Sequence, residues 1–152
     1  MRRITASKSR STNSQAVDLI SPELLMLKAV KDLTYTILLV DDMEAMKEFY
    51  RTLFPFEIRG EGEEGLSFKP PGSTLFSLRK RTRDYDGKGP RHDAPGVQLA
   101  FLVEPDEVEE CYQILLKHGV KIAEPVTDQP RGHRTIYFYD PDHNLLEIYA
   151  EI

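Results

Sequence analysis

At 152 residues, with 40% hydrophobic and 30% charged side chains, the chain suits one soluble domain, or two half-modules sharing a core. A net charge of −5 excludes a general electrostatic footprint for nucleic acid. No apolar run approaches the ~20 residues of a membrane span, and one cysteine, Cys111, excludes an internal disulfide and fits a reducing compartment.

The charge is unevenly spread. Residues 1–16 carry Arg2, Arg3, Lys8 and Arg10 and no acid, so the remainder, at −5 less those four, sums to −9. With little to bury, residues 1–20 are expected to be a disordered basic tail. The same acid-free composition suits an organelle transit peptide; a cytoplasmic location is the simpler expectation. A start at Met26 is a further reading. Ser21-Pro22-Glu23 before Leu24 and Leu25 predicts a short helical arm over 21–30, with Ser21 as N-cap and Pro22 as first helical residue.

The domain then runs over 31–152. Leu33 to Val40 is a buried strand, and Asp42 can cap the helix that follows. In Met43 to Phe54, the residues Met43, Met46, Phe49, Tyr50 and Leu53 recur at helical spacing and form a core face. Short strands are expected at 56–59, 66–69 and 73–79, with turns at 60–65 and 70–72. Lys80 to Gly96 is a long polar loop whose Lys80, Arg81 and Arg83 read as a solvated surface, with a lid as the functional alternative. Val97 to Val103 is the next strand. Pro105 opens a second helix, which buries Val108, Cys111, Tyr112, Leu115 and Leu116 and ends at Gly119. A short strand at 120–123 and a loop at 124–132 lead to a final hairpin, Thr135–Tyr149, broken at Asp140-Pro141-Asp142-His143-Asn144.

Glu147 is the anomaly of that hairpin. A carboxylate amid apolar residues must reach a pocket, a partner or solvent. Side chains alternate along a strand, so Tyr137, Tyr139 and His133 share one face of theirs.

The order is βαβββ twice, with modules at about 31–80 and 97–152. A shift of 63 residues lays Tyr35 on Gln98 and Leu53 on Leu116; a shift of 70 lays Ser77 on Glu147. Two copies of such a unit must stack to bury a core. The expected architecture is therefore α+β, a cupped mixed sheet with helices on its outer face. Parity turns Tyr35, Ser77, Gln98 and Glu147 inward, towards a shared cleft.

Leu39-Val40-Asp41-Asp42 with Phe49-Tyr50, Leu99-Ala100-Phe101, and above all Phe138-Tyr-Asp-Pro-Asp-His-Asn-Leu-Leu-Glu147 carry a resemblance. Over about 31–151 the chain resembles the vicinal oxygen chelate superfamily of glyoxalases, bleomycin-resistance proteins and extradiol dioxygenases. The resemblance implies paired βαβββ modules, usually assembled as dimers. In its metal-using members His, Gln or Glu at the four repeat-related positions bind a divalent ion. Here those positions hold Tyr35, Ser77, Gln98 and Glu147. Glu147 matches; Gln98 is a weak ligand, and Tyr35 and Ser77 are poor ones. His133, or His92 on the long loop, could complete a set. A catalytic zinc site wants three good protein ligands, so no metal is expected. Zinc, manganese, iron or magnesium on Glu147, Gln98 and His133 is the alternative. Relatives usually carry Gly at the position of His143, where φ is positive; a turn shifted onto Asn144 is expected instead.

Two functions follow. One is a non-catalytic binder holding a small planar or cationic molecule among Tyr35, Ser77, Gln98, His133, Tyr137, Tyr139 and Glu147. The other is a metal-dependent lyase, isomerase or dioxygenase with Glu147 as ligand or base. A homodimer is expected in either case, and neither a nucleic-acid nor a membrane partner.

Overall fold

The computed structural model describes residues 27–72, 74–89 and 95–152. The tail, residues 21–26 of the arm, and His92 lie outside the described residues. The chain divides into two units at Asp32/Leu33. In the first, Leu27 to Ala29 form a turn closed by a bond from the Val30 N–H to the Leu27 carbonyl at 2.9 Å.

The second unit holds the repeat. Its elements are β1 (Tyr35–Val40), α1 (Met43–Leu53), β2 (Glu57–Gly62), β3 (Gly65–Lys69), β4 (Leu75–Lys80), β5 (Gln98–Leu102), α2 (Val108–Lys117), β6 (Ile122–Gln129), β7 (His133–Tyr139) and β8 (Leu145–Glu151). They build two four-stranded sheets, ordered β1-β4-β3-β2 and β5-β8-β7-β6. In each, the first strand lies parallel to the last and the remaining pairs are antiparallel. Both sequence shifts hold in the register. Ile37 lies opposite Ser77 as Ala100 lies opposite Glu147, and Ser67 faces Ser77 as Tyr137 faces Glu147.

Local chemistry sets the element ends. The Asp42 carboxylate accepts from the Ala45 N–H at 3.0 Å and caps α1. Gly119, at φ 66°, closes α2 in the left-handed conformation that glycine adopts without a side-chain clash. Two strands outrun their expected lengths. β2 continues through Gly60–Gly62, and β6 spans eight residues despite Pro125. Partner strands supply the ladder, and irregularities at Ile58/Gly60 and between Ile122 and Thr127 absorb the residues that fit it poorly. α2 buries Val108 and Leu115 as expected, but Leu116, one residue past Leu115, turns off that face and is 45% exposed.

The two modules share one hydrophobic cluster, from Leu38, Met46, Tyr50 and Phe68 to Val108, Ile136, Phe138 and Leu146. Across it the Tyr50 hydroxyl donates to Asp140 Oδ2 at 2.8 Å, and the Phe54 and Phe101 rings meet at 4.4 Å. The Asp41 N–H donates to Asp142 Oδ2 at 3.3 Å. Packing thus consumes the helix-facing sides of both sheets. The opposite faces of β1 and β5 stay open, leaving Tyr35 51%, Ile37 47% and Leu102 66% exposed.

The long loop begins with built structure rather than solvated charge. The Arg79 guanidinium donates twice to Asp86, at 2.7 and 2.9 Å, and the Thr82 and Arg83 N–H groups also donate to Asp86. Arg81, expected on a wet surface, is half-buried and donates to the Asp86 carbonyl at 2.5 Å.

The final hairpin turns where expected, on the buried Asp140. Its Oδ1 accepts from the Asp142 and Asn144 N–H groups, and its Oδ2 from the Asn144 amide at 2.8 Å. The turn is not shifted. His143 itself takes φ 63°, with its ring stacked on Tyr139 at 4.1 Å. The bonds to Asp140 leave the turn no slack to move that conformation one residue on.

Candidate ligand-binding site

Strand alternation puts Tyr137, Glu147 and Tyr149 on the open face of the second sheet. There Glu147 lies between Ala100 on one flank and Tyr137 on the other. Gln98, one pleat along β5, reaches across: its amide donates to Glu147 Oε2 at 3.0 Å. The other oxygen, Oε1, accepts from Arg131 Nη2 at 3.2 Å, and the same nitrogen donates to the Tyr137 hydroxyl at 2.8 Å. Arg131 Nε approaches His133 Nδ1 at 3.4 Å. His133 in turn lies against the Tyr149 ring, 5.0 Å between centroids. Together these residues line a cavity of about 450 Å³.

Glu147 is only 6% exposed at the base of this cavity. A buried carboxylate is costly unless it is paired and hydrogen-bonded, and here both oxygens are. The neighbours feel the charge. Burial raises the Tyr137 phenol above its ordinary value; the bond from Arg131 works against that, while Glu147 adds to it. The bond to Tyr137 raises the Arg131 guanidinium further above its already high value.

The structure brings together Gln98, His133, Tyr137 and Glu147. Tyr139 shares their face but lies farther along β7, stacked on His143 and beneath the Lys121 ammonium at 5.2 Å. Tyr35 and Ser77 lie on the first sheet, and no hydrogen bond or ring contact among the described residues joins them to Gln98 or Glu147. Ser77 is buried and shares a 2.9 Å hydrogen bond with Ser67. Where the second module has Tyr137 and Glu147, the first has two small hydroxyls satisfying each other.

Arg131 is the residue that sequence reasoning missed. It lies in the turn between β6 and β7, where the Gly132 N–H bonds the Gln129 carbonyl at 3.0 Å and Gly132 takes φ 85°. The only signal was the need of Glu147 for a counter-charge; Arg131 and Arg134 both flank the inward-facing His133, and nothing in the sequence chooses between them.

A larger, mostly apolar hollow of about 710 Å³ lies between the C-terminal end of α1 and the first two turns of α2, lined by Phe54, Phe56, Phe76, Phe101, Cys111 and Ile148 among others. Burial raises the Cys111 thiol above its ordinary value, as do Glu107 and Glu110, which disfavours the thiolate. This hollow has the volume, but the smaller cavity holds the convergent polar groups.

The cavity offers few free donors to a divalent ion. The Glu147 carboxylate already faces a guanidinium, the best imidazole donor is 3.4 Å from that same cation, and Gln98 is an amide. Among the described residues no group of three or more His, Cys, Asp or Glu is placed to hold a metal. The residues in place do not fit one. No helix among the described residues is long and apolar enough to cross a membrane.

The chain is 28% identical over 125 residues to metallothiol transferase FosB of Staphylococcus saprophyticus, covering 82% of this chain and 78% of that one. A glyoxalase/bleomycin resistance protein/dioxygenase from Nocardioides superposes with a TM-score of 0.68 at 24% identity, covering 81% of this chain and 85% of that one. The fosfomycin resistance protein FosX of Listeria monocytogenes does so with a TM-score of 0.63 at 24% identity, covering 81% and 95%. The family model of the glyoxalase/bleomycin resistance protein/dioxygenase superfamily matches residues 32–148, and the chain belongs to that superfamily.

Proposed function

We propose that the chain binds a small planar organic molecule on the open face of the second sheet. Its ring would lie against Tyr137, His133 and Tyr149, and its polar edge against Gln98, Arg131 and Glu147. One observation carries this reading: a carboxylate 6% exposed yet facing a cavity of about 450 Å³, with aromatic walls and satisfied polar groups. Arg131 already neutralises Glu147, so the balance moves from a cationic ligand towards a neutral or weakly acidic one. A homodimer forms part of the proposal, because the exposed Tyr35, Ile37 and Leu102 would gain from cover by a second copy.

Ala100 keeps the space beside Glu147 open. A thermal-shift and calorimetric screen of planar aromatic acids, phenols and amides should find a ligand class for the wild type. Ala100→Leu should abolish that binding while leaving the melting temperature within a few degrees. No shift with any class, or equal binding by Ala100→Leu, would reject the site.

A divalent-metal-dependent enzyme is the second reading. It is favoured by the relative named metallothiol transferase, which sides with a metal rather than with the expected absence of one. Metal content of protein purified without chelators, followed by zinc and manganese titration, separates the two readings.

A further inference from the structure

The position and bonding of Arg131 reach beyond the choice of ligand. We infer that the Arg131 guanidinium is the resident cation of this site, held against Glu147 and His133 in place of a divalent ion, and that it sets the site's selectivity against metals. The inference rests on the metal-free reading above.

Glu147 Oε1 and His133 Nδ1 are the strongest potential metal donors in the cavity. Both address one edge of the same guanidinium: Oε1 meets Nη2 at 3.2 Å and Nδ1 meets Nε at 3.4 Å. To accept there, Nδ1 must be unprotonated, with its lone pair aimed at the cation, which is the state a metal would also require. The remaining carboxylate oxygen is bound by the Gln98 amide at 3.0 Å. The guanidinium therefore occupies the point where the donors converge, and it cannot be deprotonated to leave.

The placement is built rather than incidental. Arg131 extends from a turn whose backbone is fixed on both sides, with Gly132 bonded to Gln129 at 3.0 Å and the Ile152 N–H bonded to the Gly132 carbonyl at 2.9 Å. Its side chain crosses β7, takes the Tyr137 hydroxyl at 2.8 Å, and ends on β8. The side chain nevertheless remains 51% exposed, so truncating it leaves no hole in the core. Without it the same convergence presents a carboxylate, an imidazole and an amide oxygen (after rotation of the Gln98 amide), enough for a weak divalent site completed by water.

The test is isothermal titration of the full chain with zinc and manganese chlorides at neutral pH. Wild type and Arg131→Lys, which keeps a cation there, should show no stoichiometric uptake. Arg131→Ala should take up one equivalent, about tenfold or more tighter than any residual wild-type binding, and a double variant adding Glu147→Gln should lose it. Arg131→Ala failing to gain a metal overturns the inference and leaves the ligand pocket standing, as does a gain that survives Glu147→Gln. One equivalent bound by the wild type and lost in Glu147→Gln overturns the inference and the metal-free reading together.

Discussion

Asp142 offers the sharpest check on how the modules are joined. It is buried at the hairpin turn, and its Oδ2 accepts the Asp41 N–H at 3.3 Å. Burial, followed by the nearby carboxylates of Asp140, Asp41 and Asp42, pushes its pKa up to about 6, although the bond from Asp41 opposes this. In the unfolded chain an aspartate titrates near 3.9. Between those values the folded state holds a proton that the unfolded state has released, so stability falls as pH rises from about 4 to about 6 and then levels off. At 1.4 kcal/mol per tenfold change, ionised Asp142 costs at most about 2–3 kcal/mol above pH 6. Asp142→Asn keeps an oxygen for the Asp41 N–H and carries no charge. In urea unfolding across pH 3.5–8 it should match the wild type at the acid end and exceed it by about 2 kcal/mol at pH 7, with unchanged denaturant dependence. Equal stability at pH 7, or a wild-type advantage that grows with pH, would show that the carboxylate is not held as described.

Other perturbations probe the same joint and its turn. Tyr50→Phe removes the hydroxyl donating to Asp140 at 2.8 Å and should cost about 1.5–3 kcal/mol, the range for a hydrogen bond to a charged group; a loss below about 0.5 kcal/mol in urea unfolding would deny that link its role. His143→Val puts a β-branched residue at φ 63° and should lower stability by about 1–3 kcal/mol, whereas His143→Asn should stay within about 1 kcal/mol of wild type. Equal melting temperatures for the two variants would mean that the turn carries no backbone constraint.

How much was legible in the sequence depends on the range of the signal. The doubled βαβββ order, the α1 core face of Met43, Met46 and Tyr50, the Asp42 cap and the Gly119 stop are written in local spacing and side-chain chemistry, and the structure repeats them. Alternation along β7 and β8 also placed Tyr137 and His133 on the face carrying Glu147. Residues that act within one element, or opposite one another in a register fixed by the repeat, leave a pattern in the chain itself.

Tertiary structure decided the rest, because it depended on which faces the modules bury against each other. The sequence turned Tyr35, Ser77, Gln98 and Glu147 to corresponding faces but could not say that the helix-facing sides would meet instead. Through Tyr50–Asp140 and Phe54–Phe101 that packing leaves each sheet its own open face. Nor could it reveal Arg131, which reaches Glu147 from sixteen residues away across an intervening strand. A long flexible side chain has no periodicity to betray its target; only the low-dielectric burial of a carboxylate, and the counter-charge it demands, fixes where that side chain ends.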